Sequence, residues 1–320
     1  MSPGRRGIPF ALKVVVSLLL LAFAFSRVDL EAIVRLFATA NVPLLLVGTA
    51  AVVGQAALQT WRWAILLGSQ GFFPGYWILL RINLVGGFIN LFAPSTVGGD
   101  AYRMVQTRGY AGGLGGAVPS ILLDRGLGLL ALVVIGACGL AALYSPGDLI
   151  WVVASLLVLV FGGYVFAVGP LTSLLRKGAA RLAPRFAGVV EQIGVLLRPS
   201  WRLLAVALLS LVFQLNTVWI AWIYSVATAI TADPSQLLVI IPVVYLVEMI
   251  PISANGVGVR EGTLTVLFGQ IGLVPEHGLV LGLTISALRY VAGLPGGAFL
   301  LADLLRTHPA ASPDRPDLGP

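Results

Sequence analysis

Charged side chains are scarce in this chain. Only 10% of residues are Asp, Glu, Lys or Arg, against 58% hydrophobic. A water-soluble domain carries roughly 25% charged residues because its surface faces water, so this chain cannot cover a soluble fold. Its mean hydropathy is +0.97. Several apolar runs approach the roughly 18 to 20 residues that cross a hydrocarbon core of about 30 Å. The composition is that of a polytopic membrane protein. Cysteine is nearly absent too: Cys138 stands alone in an apolar run, which excludes an intrachain disulfide and leaves no expectation of redox chemistry. The two histidines, His277 and His308, fall in a short connection and in the C-terminal tail, so neither a metal site nor a cofactor is expected. The glycine run at 112–116 lacks the Lys-Ser/Thr ending of a phosphate loop and reads as a hinge or close-packed turn. A net charge of +7 would suit nucleic acid, but the basic residues gather at the ends of apolar segments, where membrane orientation places them. No nucleic-acid partner is expected.

What is abundant is the span. Full crossings are expected at 8–25, 42–67, 118–143, 149–168, 203–230 and 278–301. The first follows Arg5 and Arg6 and resembles a signal peptide, with Ala22-Phe23-Ala24 as a cleavage-like site. Its length and the spans that follow favour an uncleaved crossing. Two other apolar runs, 77–93 and 236–250, are too short to cross comfortably. Each ends at a proline and a glycine-rich polar stretch, and each is followed by a second short segment, at 101–110 and 262–273. These pairs read as re-entrant half-helices. The expected fold is therefore all-α, with about six full transmembrane helices plus two re-entrant broken-helix pairs. Residues 1–305 form the membrane domain, and 306–320 are a Pro-rich tail expected to be disordered.

Loop charges orient this layout. Residues 171–202 carry Arg176, Lys177, Arg181, Arg185, Arg198 and Arg202 against Glu191 alone, while Ser145 to Asp148 and Thr231 to Ser235 carry only acids. The positive-inside rule then puts the basic connection and both termini in the cytoplasm of a cell-membrane protein. An odd number of crossings separates the two breaks, so they open from opposite faces, the pattern of an inverted-topology repeat with a site near the midplane.

The breaks share an order of residues. The first runs from Asn90 through Pro94, Ser95, Thr96, Gly98, Gly99 and Asp100 to Arg103. The second runs from Glu248 through Pro251, Ser253, Asn255, Gly256, Gly258 and Arg260 to Glu261. Bare backbone survives in a membrane only where protein or water covers it. The glycines permit unusual torsions and close approach, and Ser95, Thr96, Ser253 and Asn255 are cap formers for the following half-helix. A half-helix N-terminus attracts anions, and Arg103 or Arg260 adds a guanidinium fork suited to phosphate. The plain alternative is that Pro94 and Pro251 mark ordinary helix ends. Arg62, Arg81 and Arg108 lie near segment ends and are expected to snorkel. Asp124 and Arg125 are adjacent, point about 100° apart on a helix and form no simple pair. They and Arg289 lie inside spans, where ionisable groups are functional candidates; Glu248 is a partner for Arg289 or Arg125, and a purely structural ion pair is the alternative. Gly293-x-x-x-Gly297 reads as a packing face, or as a kink at Pro295.

The sequence P-S-x-x-G-G-D-A-Y-R, then L-L-D-R-G-L-G, then P-I-S-x-N-G-x-G-x-R-E-G, then an in-membrane arginine, resembles the transmembrane domain of the lysylphosphatidylglycerol synthase family, the flippase-like integral membrane proteins. The resemblance covers nearly the whole chain. It implies movement of aminoacylated phosphatidylglycerol or another lipid between leaflets, with Asp100, Arg103, Asp124, Arg125, Arg260, Glu261 and Arg289 along the head-group path. Family members that make the lipid carry a soluble tRNA-using domain after the spans. Here about fifteen residues follow Leu305, so no synthase activity is implied.

Two function classes follow. One is a flippase or scramblase for a phospholipid or lipid-linked molecule, without ATP hydrolysis of its own. The other is an enzyme or membrane subunit of lipid, hopanoid or glycolipid biosynthesis. The paired breaks, with neither a nucleophile nor a metal-binding constellation, favour the first. A membrane lipid is the expected partner; a lipid-biosynthetic enzyme and a second copy of the chain are the candidate protein partners.

Overall fold

The computed structural model describes residues 30–93, 97–144, 187–198, 200–250, 252–253 and 255–306. Among them the only regular structure is helical: α1 (Leu30–Ala38), α2 (Val42–Ser69), α3 (Tyr76–Phe92), α4 (Val97–Thr107), α5 (Leu114–Tyr144), α6 (Ala187–Leu196), α7 (Trp201–Ala227), α8 (Pro234–Glu248), α9 (Val259–Gln270) and α10 (Pro275–Arg306). Four of the expected spans correspond to α2, α5, α7 and α10. The spans at 8–25 and 149–168 and the tail beyond Arg306 lie outside the described residues, as do Pro94, Ser95, Thr96 and Pro251. The four long helices have 28, 31, 27 and 32 residues. At 1.5 Å per residue that is about 40 to 48 Å, ample for a bilayer core of about 30 Å. Two short helices, α1 and α6, stand where connections were expected; at 9 and 10 residues they are too brief for periodicity to mark them.

Side-chain polarity starts and places the helices. Asn41 caps α2 by accepting from the Leu44 N–H at 3.2 Å, and Ser200 caps α7 by accepting from the Leu203 N–H at 3.2 Å. Asp233 opens α8 with its own N–H on Gln236 Oε1 at 3.0 Å and Pro234 in the first turn. On α7, Leu204, Leu208, Val212, Leu215 and Trp219 form an exposed stripe, while Ser210, Gln214 and Thr217 are buried. A soluble helix would reverse that arrangement. Here lipid takes the apolar face, and polar groups find partners inside, as Gln214 does on the Gly128 carbonyl at 2.9 Å.

The chain forms two matching halves, α2–α5 and α7–α10. Their leading spans pack antiparallel: the Asn41 N–H donates to the Ala227 carbonyl at 2.7 Å, and at the other end Arg202 Nη1 donates to the Gly68 carbonyl at 2.9 Å. The last helix of each half then receives the first short helix of the other, α3 on α10 and α8 on α5. Small residues seat both contacts. Gly293, Gly296 and Gly297 face Leu91, Leu84 and Phe88 of α3, and Gly136 and Gly139 face Pro242 and Leu238 of α8. Gly293 and Gly297 thus form a packing face.

Each short pair folds back on itself. Gly86 of α3 lies against the Gly99 carbonyl and Arg103 of α4, and Arg260 of α9 returns to Glu248 at the end of α8. The first hairpin starts beyond the C-terminus of α2 and the second beyond that of α7. Because these spans are antiparallel, the hairpins enter from opposite faces, as an inverted repeat requires. Gly98, Gly99 and Asp100 lie in the first turn of α4, at the helix N-terminus. The second pair of glycines lies in the break, with φ of +75° at Gly256 and +82° at Gly258. Around 112–116 the packing is uneven: Gly112 lies against Phe72 and Gly116 against the Ala111 carbonyl and Phe72, while a Cβ at Gly113 or Gly115 would meet nothing within 4 Å.

Candidate functional site

At the first break five charges form a ladder. Arg125 of α5 grips Asp100 of α4 through Nε at 2.8 Å and Nη2 at 3.0 Å, a bidentate fork. Asp100 also accepts from Arg103 Nη1 at 3.4 Å. Arg103 lies 4.1 Å over the Trp63 ring, and its Nη2 is 3.7 Å from Asp124 Oδ2. That separation is a Coulombic contact rather than a hydrogen bond, and neither atom has a hydrogen-bond partner among the described residues. The other Asp124 oxygen accepts from Arg62 at 2.9 Å (Nε) and 2.5 Å (Nη2). Arg62 was expected at the membrane surface. It is instead 3% exposed, because α5 brings an acid to the middle of the protein for it. Arg81 pairs with Asp303, and Arg108 is exposed. Asp124 and Arg125 do point to different partners, as adjacency on a helix demands. The α4 amides are also accounted for in part: the Gly99 N–H donates to Asn90 Oδ1 at 2.6 Å.

The second break builds the same kind of ladder from other positions. Glu248, the last residue of α8, bridges Arg260 of α9 and Arg289 of α10; the Arg289 Nη1 contact measures 3.4 Å. Arg260 also donates to Ser286 Oγ at 2.5 Å and to the Asn255 carbonyl at 3.3 Å. Ser286 in turn donates to Glu261. Glu261 accepts from the Gly258 N–H at 2.6 Å, so the α9 N-terminus is capped by its own first turn. Ser253 is buried and Asn255 adopts a φ of +50°; among the described contacts it is Glu261, not either of them, that takes an amide of this helix.

Arg289 differs from the other hairpin-contacting arginines in what lies beside it. Its Nη2 donates to the Tyr245 hydroxyl at 2.9 Å, and it lines a cavity with Gln55, Thr217, Tyr224 and Tyr245. Gln55 and Thr217 escaped the sequence reading. Their signal is a neutral polar side chain near the middle of a span, which hydropathy averages away. Both hairpins meet this segment of α10: Phe92 packs on Tyr290, Leu91 on Gly293, and Glu248 pairs with Arg289.

Inverted halves, each a span, a folded-back hairpin and a second span, with arginine–carboxylate ladders at both breaks, define a polytopic membrane protein of the broken-helix class. The chain belongs to the family described as Lysylphosphatidylglycerol synthase TM region, whose profile matches residues 10–297. Membership relates it to lipid handling. No curated protein and no solved structure gives a significant match.

Proposed function

We propose that this protein moves a lipid between membrane leaflets, with the head group passing Arg289. One observation carries the reading: hairpins entering from opposite faces meet at a part-exposed arginine midway along α10, beside a cavity with both polar and apolar walls. A charge at membrane depth is costly and persists where it serves a path, and broken helices from opposite faces are the arrangement that gives access from either side in turn. Arg125, 43% exposed along its side chain, is the corresponding cation of the first half. The basic stretch at 171–202 orients the protein with its termini in the cytoplasm of the cell membrane. Purified protein in liposomes carrying fluorescent lipids tests the reading. Leaflet exchange above the protein-free rate supports it, and exchange at the protein-free rate for every lipid sinks it.

A further inference from the structure

The cavity beside the second break restricts which head group fits. It measures about 60 Å³, room for about four water-sized groups at roughly 15 Å³ each. That room takes one phosphoryl or one glycerol unit.

Its polar walls have a defined sense. Gln55 Nε2 donates to Thr217 Oγ1 at 2.6 Å and to the Phe213 carbonyl at 3.0 Å, so the side chain offers its carbonyl oxygen as an acceptor. Tyr245 receives a hydrogen bond from Arg289 and keeps its own proton to give. Arg289 holds Glu248 at 3.4 Å, well beyond the 2.7–2.9 Å of a close charge-assisted bond, and so is the least engaged cation of its ladder. No carboxylate lines the cavity, and Glu248, which Arg289 reaches, is already shared by two arginines. Beside the apolar Val52, Ile220, Ala221 and Ile285, the walls therefore present one cation, hydroxyl donors and an acceptor, with no uncommitted carboxylate among the described residues to receive an ammonium group.

We propose that this cavity admits a small, net-anionic head group bearing hydroxyls, with phosphoryl oxygens on Arg289 and a hydroxyl on Gln55, and that it rejects cationic aminoacyl head groups. The proposal rests on the lipid-translocation reading above. It is tested on the full chain in detergent micelles, by titrating phosphatidylglycerol, phosphatidylethanolamine and lysylphosphatidylglycerol of equal acyl length, with inorganic phosphate as the free-anion arm. Phosphatidylglycerol is expected to bind about tenfold more tightly than the other two lipids, the size of one satisfied polar contact. Gln55→Leu should remove most of that preference with thermal stability retained, and Arg289→Ala should abolish it. Equal affinities, or tightest binding of the lysyl lipid, overturn the proposal. Inorganic phosphate binding as tightly as phosphatidylglycerol overturns it as well, leaving a general anion site. Leaflet exchange without head-group preference would leave translocation standing and remove this inference. Head-group preference without exchange would do the reverse.

Discussion

In the first break Arg125 grips Asp100 through two bonds of 2.8 and 3.0 Å, whereas in the second Arg289 reaches Glu248 once, at 3.4 Å, beside a cavity. The two breaks also exchange duties between their arms. In the first, the following helix supplies the bridging acid, Asp100, and the preceding helix supplies the amide acceptor, Asn90. In the second, the preceding helix supplies the bridging acid, Glu248, and the following helix supplies the amide acceptor, Glu261. One physical requirement, a buried guanidinium shared with a carboxylate plus a capped helix end, is met by two residue assignments. The lesson is that inverted halves preserve an electrostatic solution better than a motif. The same contrast separates a fastened end from a looser one.

The contrast can be broken from its most buried point outward. Asp124→Asn leaves Arg62 without its counter-charge at 3% exposure. Breaking one partner of such a pair costs about 3–5 kcal/mol, so the variant should lose folded yield, and pairing it with Arg62→Leu should recover part of it. Full yield of the single variant would show the ladder to be dispensable. The next effect is steric. A Cβ at Gly99 would press on the Gly86 carbonyl and lie 2.7 Å from the Asn90 side chain, while one at Gly262 meets nothing within 4 Å. Gly99→Ala should therefore cost about 1–3 kcal/mol of stability and Gly262→Ala little, read by thermal unfolding in micelles. Equal melting of the two would mean that α3 and α4 are not locked there. The smallest effect sharpens the comparison itself. Lysine keeps the charge but loses the planar fork, so Arg125→Lys should cost about 1 kcal/mol and Arg289→Lys less. The reverse order would make the second break the fastened one.

Much of this fold was legible in the sequence. Apolar run length gave the four long helices, and the odd number of spans between the breaks implied that the hairpins open from opposite faces, which the antiparallel α2 and α7 bear out. Glu248 was legible as a partner of Arg289 because both are ionisable groups in apolar segments. The Arg62–Asp124 pair was not: 62 residues separate them, and Arg62 sits where a snorkelling arginine would. Nor was the exchange of acids, since the motif order aligns Asp100 with Glu261 and only the hairpin packing shows Glu248 doing Asp100's work. The cavity was hidden because its polar walls are scattered over four helices far apart in the chain.

The most direct measurement is leaflet exchange of a fluorescent anionic phospholipid in liposomes holding wild type or Arg289→Ala, each checked for equal reconstitution and melting. The expected result is exchange well above the protein-free rate for wild type and a fall to that rate for Arg289→Ala. Undiminished exchange in Arg289→Ala would contradict a head-group path past this arginine.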